Sequence, residues 1–94
     1  MIILKNLVVT SSGIYDAGSC QSSEVSYKID GNFAGGYVEV GYITGDGSFV
    51  KYVDVPPVSS SNQAVIRCGQ GSSVAYKVVA PSATLLYIVS NVVA

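Results

Sequence analysis

Short runs rich in Val, Ile, Tyr and Thr recur along the 94-residue chain, and turn-forming residues separate them. Runs of this composition between Gly, Pro, Asp and Ser are typical of β-strands. They predict seven strands, at 2–10, 23–30, 37–44, 48–55, 63–68, 73–80 and 84–93. Turn signals about every ten residues, with no helical stretch between them, indicate an all-β fold: a single antiparallel β-sandwich or small barrel.

The first and last runs, "MIILKNLVV" and "TLLYIVSNVVA", are apolar on both alternating faces. Either the last strand is central in the sheet, or a neighbouring subunit covers the face that the domain leaves exposed. We therefore hypothesise that the two runs contribute to a subunit or shell contact. The candidate contact residues are Ile2, Ile3, Leu4, Leu85, Leu86, Tyr87 and Ile88. Alternation puts Leu85 and Tyr87 on one face and Leu86 and Ile88 on the other, without saying which face points outward.

Chain length and composition narrow the possible partners. A chain of 94 residues predicts one domain, 1–94, with a small core. Charged residues make up 12% of the chain, about half the usual share, which favours self-association. The few basic residues are scattered, so we expect no nucleic-acid partner. Lys5 and Asn6 interrupt the first apolar run, so we expect neither a signal peptide nor a membrane partner.

The stretch "GDGS" at 45–48 could be a tight turn or a loop that holds an ion. A calcium loop needs six to eight oxygen ligands, and a phosphate-binding loop precedes a helix. Asp46 is the one carboxylate here, and a strand is predicted on each side. Asp-Gly between alternating runs is a strong hairpin signal, so we predict a hairpin turn and no metal site.

The residues that usually carry catalysis are scarce. The chain has no His, and no Ser stands in a Gly-x-Ser-x-Gly setting. Six carboxylates leave a glycosidase-like pair as an alternative, but a domain of this size barely builds the cleft that such a pair needs. We expect no enzymatic activity and no cofactor.

Seven tyrosines raise a second functional hypothesis, because aromatic faces bind sugars and bases. They could form the binding surface of a carbohydrate- or host-recognition module. Tyrosine is also a common strand residue that half-buries its ring and keeps its hydroxyl in water. A small regulator that binds an enzyme through an edge strand is a third hypothesis.

Cys20 and Cys68 are the two cysteines of the chain. Without an export signal, the expected compartment is reducing, which favours two free thiols over a disulfide. Two cysteines without His do not make an ordinary structural zinc site, which has four nitrogen or sulfur ligands.

The order of features from Phe33 onward resembles small β-sandwich virion proteins of tailed bacteriophages, of the capsid decoration (cement) or head–tail accessory type. The matching stretches are "FAGG" (33–36), "YVEVGYIT" (37–44), "GDGSF" (45–49), "VDVP" (53–56) and "GQGSSVAYKV" (69–78). The resemblance implies a non-enzymatic structural virion protein, most simply a capsid decoration protein made in the host cytoplasm. It also implies a homo-oligomer, with a trimer favoured, and a viral capsid or tail protein as partner.

Overall fold

A computed structural model of the protein describes residues 2–20, 24–67, 72–80 and 84–93. Those ranges contain eight β-strands and no helix, which confirms the all-β prediction. The strands are β1 (Ile2–Val9), β2 (Gly13–Ser19), β3 (Glu24–Asn32), β4 (Tyr37–Ile43), β5 (Phe49–Lys51), β6 (Asn62–Arg67), β7 (Ser73–Val79) and β8 (Leu85–Val93).

The eight strands form two four-stranded antiparallel sheets that pack together as a β-sandwich. Sheet 1 has the order β1–β8–β3–β6, and sheet 2 has the order β2–β7–β4–β5. A single residue pair, Ser19 with Val93, connects the sheets at one corner. Most consecutive strands lie in opposite sheets, and this strand order is that of a jelly roll.

The core lies between the two sheets and is built from alternate residues of their strands. Sheet 1 contributes Val9, Val25, Tyr27, Ile29, Ile66, Leu86, Ile88 and Val92, and sheet 2 contributes Ala17, Val38, Val40, Val74, Tyr76 and Val78. On β8 every second residue from Leu86 to Val92 is buried, and the residues between them are exposed or, at Val89, partly buried. The period-two pattern of the sequence therefore matches the pleat of the strands.

Strand β2 was missed in the sequence because its glycines and Asp16 look like turn residues. Its pairing with β7 shifts register between Asp16 and Gly18, so the strand contains a β-bulge. At the bulge Gly18 has a positive φ of 134°, which is rare in strands and which glycine adopts easily. The Asp16 carboxylate accepts a hydrogen bond from the Gly18 amide at 3.0 Å. Glycine and aspartate therefore continue this strand instead of ending it.

Two further sequence predictions are corrected. The turn predicted at 30–32 lies inside β3, where Gly31 pairs with Leu86 at a φ of 118°. The strand predicted at 48–55 is confined to Phe49–Lys51, and turns follow it up to Pro56. The predicted turns at 69–71 and 81–82 lie outside the described residues.

Gly41 in β4 lies against the backbone of β5, and we predict that alanine there destabilises the fold. A Cβ atom at Gly41 would lie 2.0 Å from the Val50 carbonyl oxygen, so the two strands would have to separate. We expect Gly41→Ala to lower the free energy of unfolding by about 1–3 kcal/mol, measured by urea denaturation. Replacing a strand glycine with alanine usually raises the free energy of unfolding. A decrease would therefore point to the close approach of the two strands at Gly41.

Gly45 offers the matched control for this substitution. Nothing lies within 4 Å of a Cβ atom at Gly45, so Gly45→Ala should be neutral or stabilising by up to about 1 kcal/mol. Equal effects of the two substitutions would contradict the close approach of β4 and β5.

Candidate functional site

The first and last strands pair with each other along almost their whole length. β1 runs antiparallel to β8 from the pair Ile2–Val93 to the pair Val9–Leu86. β8 also pairs with β3, so β8 is an interior strand of sheet 1 and β1 is an edge strand. The two apolar runs of the sequence therefore lie side by side, and their outer faces form one continuous surface.

The alternation on β8 decides which candidate contact residues are accessible. Leu85 and Tyr87 point outward, whereas Leu86 and Ile88 lie in the core with 1% and 0% exposure. Leu86 and Ile88 are therefore not available for a subunit contact, because the opposite sheet covers them. On β1, Leu4 is exposed. The backbones of Ile2 and Ile3 belong to β1, and their side chains lie outside the described part of the structure.

The outer face of β1 and β8 carries a group of large exposed hydrophobic side chains, which we call the apolar strip. It consists of Leu4 (61% exposed), Val8 (63%), Leu85 (41%), Tyr87 (47%) and the partly buried Val89. Val8 lies directly opposite Tyr87 in the β1–β8 register. Val8 was absent from the candidate residues of the sequence, although its spacing of four from Leu4 puts both residues on one face of the strand.

The other half of the same outer face is mainly polar, apart from the exposed Val65 on β6, and we call its polar side chains the polar strip. It consists of Ser26, Lys28 and Asp30 on β3 and Gln63 on β6. A depression of about 470 Å³ lies where the two strips meet, and its lining includes Leu4, Ser26, Val65, Val89 and Asn91. Sequence reasoning missed the polar strip because its residues look like ordinary solvent-facing strand positions.

The "GDGS" stretch forms the predicted hairpin turn between β4 and β5. The Gly47 amide donates to the Thr44 carbonyl at 3.0 Å, and the Thr44 amide donates to the Ser48 carbonyl at 2.8 Å. Gly47 has a φ of 88°, as expected for the third residue of a three-residue hairpin loop. The Asp46 carboxylate accepts hydrogen bonds from the Thr44 hydroxyl and the Ser48 amide, which lower its pKa. Asp46 thus has a local structural role in closing the turn.

The seven tyrosines are distributed over the fold and do not make one aromatic surface. Tyr27 and Tyr76 are buried in the core, and the half-buried rings of Tyr42 and Tyr52 contact each other at a centroid distance of 5.3 Å. The two most exposed tyrosines, Tyr37 and Tyr87, lie on different sheets. The structure therefore does not assemble the flat row of rings that a sugar-stacking site uses.

Tyr76 connects the two sheets through the centre of the core. Its hydroxyl, on β7 of sheet 2, shares a hydrogen bond with the Ser90 hydroxyl on β8 of sheet 1. Its ring lies 6.3 Å from the ring of Tyr27 on β3. Burial raises the pKa of Tyr76 to about 12, although the Ser90 hydrogen bond partly opposes the shift. The Ser90 hydroxyl thus gives a hydrogen-bond partner to the largest side chain that is fully buried among the described residues.

We predict that the costs of removing the Tyr76 and Ser90 hydroxyls are not additive, because the two groups share one hydrogen bond. Tyr76→Phe leaves the buried Ser90 hydroxyl without its partner, which should cost about 1–3 kcal/mol. Ser90→Ala should have a similar cost, and Tyr76→Phe/Ser90→Ala should cost less than the sum of the two. Chemical denaturation of all four proteins measures the coupling. Strictly additive costs would contradict a shared hydrogen bond.

The raised pKa also predicts how stability depends on alkaline pH. An unfolded tyrosine loses its proton near pH 10, whereas folded Tyr76 keeps it up to about 12. The stability that this difference contributes is therefore present below about pH 10 and is lost as the pH rises toward about 12. The Tyr76→Phe variant should show a smaller loss of thermal stability over this range. An identical alkaline profile for the two proteins would contradict the assignment.

Cys20 is disulfide-bonded, so the prediction of a free thiol at this position is wrong. The side chain is buried, and the Cys20 amide donates to the Ser72 carbonyl at 2.8 Å, next to the start of β7. The other cysteine of the sequence, Cys68, lies outside the described residues. A disulfide needs both an oxidising environment and two sulfur atoms close together in the fold, and the sequence reports on neither directly.

The described residues contain no group of three or more His, Cys, Asp or Glu side chains arranged to hold a metal ion. They also contain no helix long and apolar enough to cross a membrane. Among the carboxylates, Asp30 accepts hydrogen bonds from the Ser61 hydroxyl at 2.6 Å and the Gly31 amide at 2.9 Å, and both bonds lower its pKa. This network holds the loop before β6 against the outer end of β3.

Comparison with known proteins does not assign the chain to a family. No family model matches it, and no curated protein matches it. Among solved structures, its fold is similar to that of a protein from Bacillus endospore appendages, described as a novel family of disulfide-linked pili. That similarity covers 100% of this chain and 90% of the other chain, with 11% sequence identity and a TM-score of 0.48. A similarity this weak carries no functional argument.

Proposed function

We propose that this protein is a non-enzymatic structural subunit that assembles through the apolar strip. As the sequence resemblance implies, its place is the virion of a tailed bacteriophage, where it acts as a capsid decoration protein. The observation that carries the proposal is the apolar strip itself, because it holds four of the nine large hydrophobic side chains that are exposed in the described part of the chain. An edge strand and its neighbour with such a face are an aggregation hazard unless a partner covers them.

Two further observations support an assembly role. The low charged content leaves few side chains that would keep separate copies apart in solution. The disulfide at Cys20 supports a location outside the reducing cytosol, since disulfides persist at oxidising sites such as virion surfaces. Both properties suit a compact subunit that is displayed in many copies.

The assembly role is tested by placing a charge on the apolar strip and on a matched position elsewhere. Tyr87 in sheet 1 and Ile14 in sheet 2 are both 47% exposed, so lysine at either position is tolerated by the fold to a similar degree. We expect Tyr87→Lys to reduce the mass measured by multi-angle light scattering to that of a monomer. Ile14→Lys should associate like the unchanged protein.

Loss of association in both variants, or in neither, would contradict an assembly contact through the apolar strip. The virion assignment needs a separate experiment, in which the purified protein is mixed with phage capsids that lack their decoration protein. Sedimentation of the protein with the capsids is the expected result. A protein that associates with itself but never sediments with any capsid would retain the structural role and contradict the virion role.

A further inference from the structure

The outer face of sheet 1 carries exposed apolar side chains on β1 and β8 and two opposite charges, Lys28 and Asp30, on β3. Its apolar strip lies along β1 and β8, and its polar strip lies along β3 and β6. We propose that two copies of the chain pack face to face through this surface, about a two-fold axis that crosses the strands at the level of Ile29 and Ile88. This inference rests on the proposed assembly function and names the partner as a second copy.

The charges of the polar strip select this axis. Lys28 pairs with Val89, Asp30 pairs with Tyr87, and Ile29 with Ile88 lies midway between these two pairs. The axis lies between the two faces and runs across the strands. A residue one position before Ile29 therefore lies opposite the partner subunit's residue one position after it. Each Lys28 then lies opposite the partner subunit's Asp30, so both ion pairs form by symmetry. An axis one level away would instead bring two lysines or two aspartates together.

The same operation brings the β8 residues of the two apolar strips together, whereas on β1 it places Val8 opposite the partner subunit's Asn6. Val89 lies opposite the partner subunit's Tyr87, so the two strips overlap along β8. Leu85, which pairs with Asn32, lies three residues along β8 on one side of the axis. Asn91 lies three residues along β8 on the other side, so the axis places each of these positions opposite the other. The partner subunit's Leu85 therefore projects toward Asn91 and the depression of about 470 Å³ beside it. An exposed leucine thus faces a concave surface that is large enough to accept it.

The size of the face agrees with a stable but modest dimer. Four strands about 4.8 Å apart, with about eight residues rising about 3.4 Å each, present roughly 500 Å² in projection. Two such faces bury roughly 1,000 Å² in total, which is about the lower limit for a specific interface. The whole of the outer face is therefore needed, including the polar strip.

The test uses opposite charge reversals on separate copies. Lys28→Glu places two carboxylates opposite each other at both symmetric contacts, and Asp30→Lys places two ammonium groups there. We expect each variant alone to dissociate at least about tenfold more readily than the unchanged protein. In an equimolar mixture every contact again joins opposite charges, so a heterodimer should form. Sedimentation equilibrium measures the mass in solution, which is compared with the 9.7 kDa of one chain. Circular dichroism checks that each variant is folded.

Recovery of a dimer in the mixture, from two variants that are monomeric alone, supports the two-fold packing. Dimers of either single variant at unchanged affinity, or a mixture that stays monomeric, would overturn it, as would a mass of three chains for the unchanged protein. If Tyr87→Lys dissociates the protein while the charge reversals do not, the apolar strip is used in another arrangement. That result would overturn the two-fold packing and leave the proposed function standing.

Discussion

Lysine in place of Ile88 is expected to unfold the domain, whereas lysine in place of the adjacent Tyr87 is expected to leave it folded. Ile88 is fully buried at the centre of β8, with Leu7 and Ile29 beside it in the register. An unpaired ammonium group there would have to be desolvated or neutralised, which costs several kcal/mol. A small domain has roughly 5–15 kcal/mol of total stability. Tyr87, at 47% exposure, offers the new charge access to water.

Far-ultraviolet circular dichroism and thermal melting of the two variants test this expectation. Ile88→Ala is a useful intermediate, because it removes the buried side chain without adding a charge and should cost about 2–5 kcal/mol. A cooperative melt of Ile88→Lys near that of the unchanged protein would contradict the assigned faces of β8. Unfolding of Tyr87→Lys would mean that the outer face of β8 is itself part of the core.

Reduction of the disulfide at Cys20 is expected to lower the free energy of unfolding by about 2–4 kcal/mol. The chain has one other cysteine, Cys68, so a bond within one chain closes a loop of roughly fifty residues and restricts the unfolded state. Because Cys20 is 1% exposed, native protein should resist mild reductants until it opens. Thiol titration of the oxidised protein in denaturant should find no free thiol.

The double variant Cys20→Ala/Cys68→Ala is the control, since its melting temperature should not respond to reductant. Non-reducing gel electrophoresis should show the unchanged protein at the mass of one chain, which would assign the bond within the chain. Two titratable thiols in freshly purified protein, or identical melting of oxidised and reduced protein, would contradict the prediction.

The parts of the fold that follow from local pattern were predictable. The alternation in "TLLYIVSNVVA" predicts a strand, and the Asp-Gly of "GDGS" predicts a hairpin, because each depends on residues close together in the chain. Strand β2 was not predictable in this way. A bulge lets Gly18 and Asp16 stay in the ladder only because β7 supplies the partner backbone.

The candidate site shows the same division. The residues of the first and last runs are enough to show that both runs are apolar on two faces, and hence that some of this surface needs a cover. The three-dimensional fold was needed to establish that the two runs are neighbours, that Tyr87 points outward while Ile88 points inward, and that Lys28 and Asp30 share their surface. It also decided the state of Cys20. Alternation is a local property of the backbone, whereas pairing, the choice of buried face and a disulfide each depend on residues that are distant in the chain.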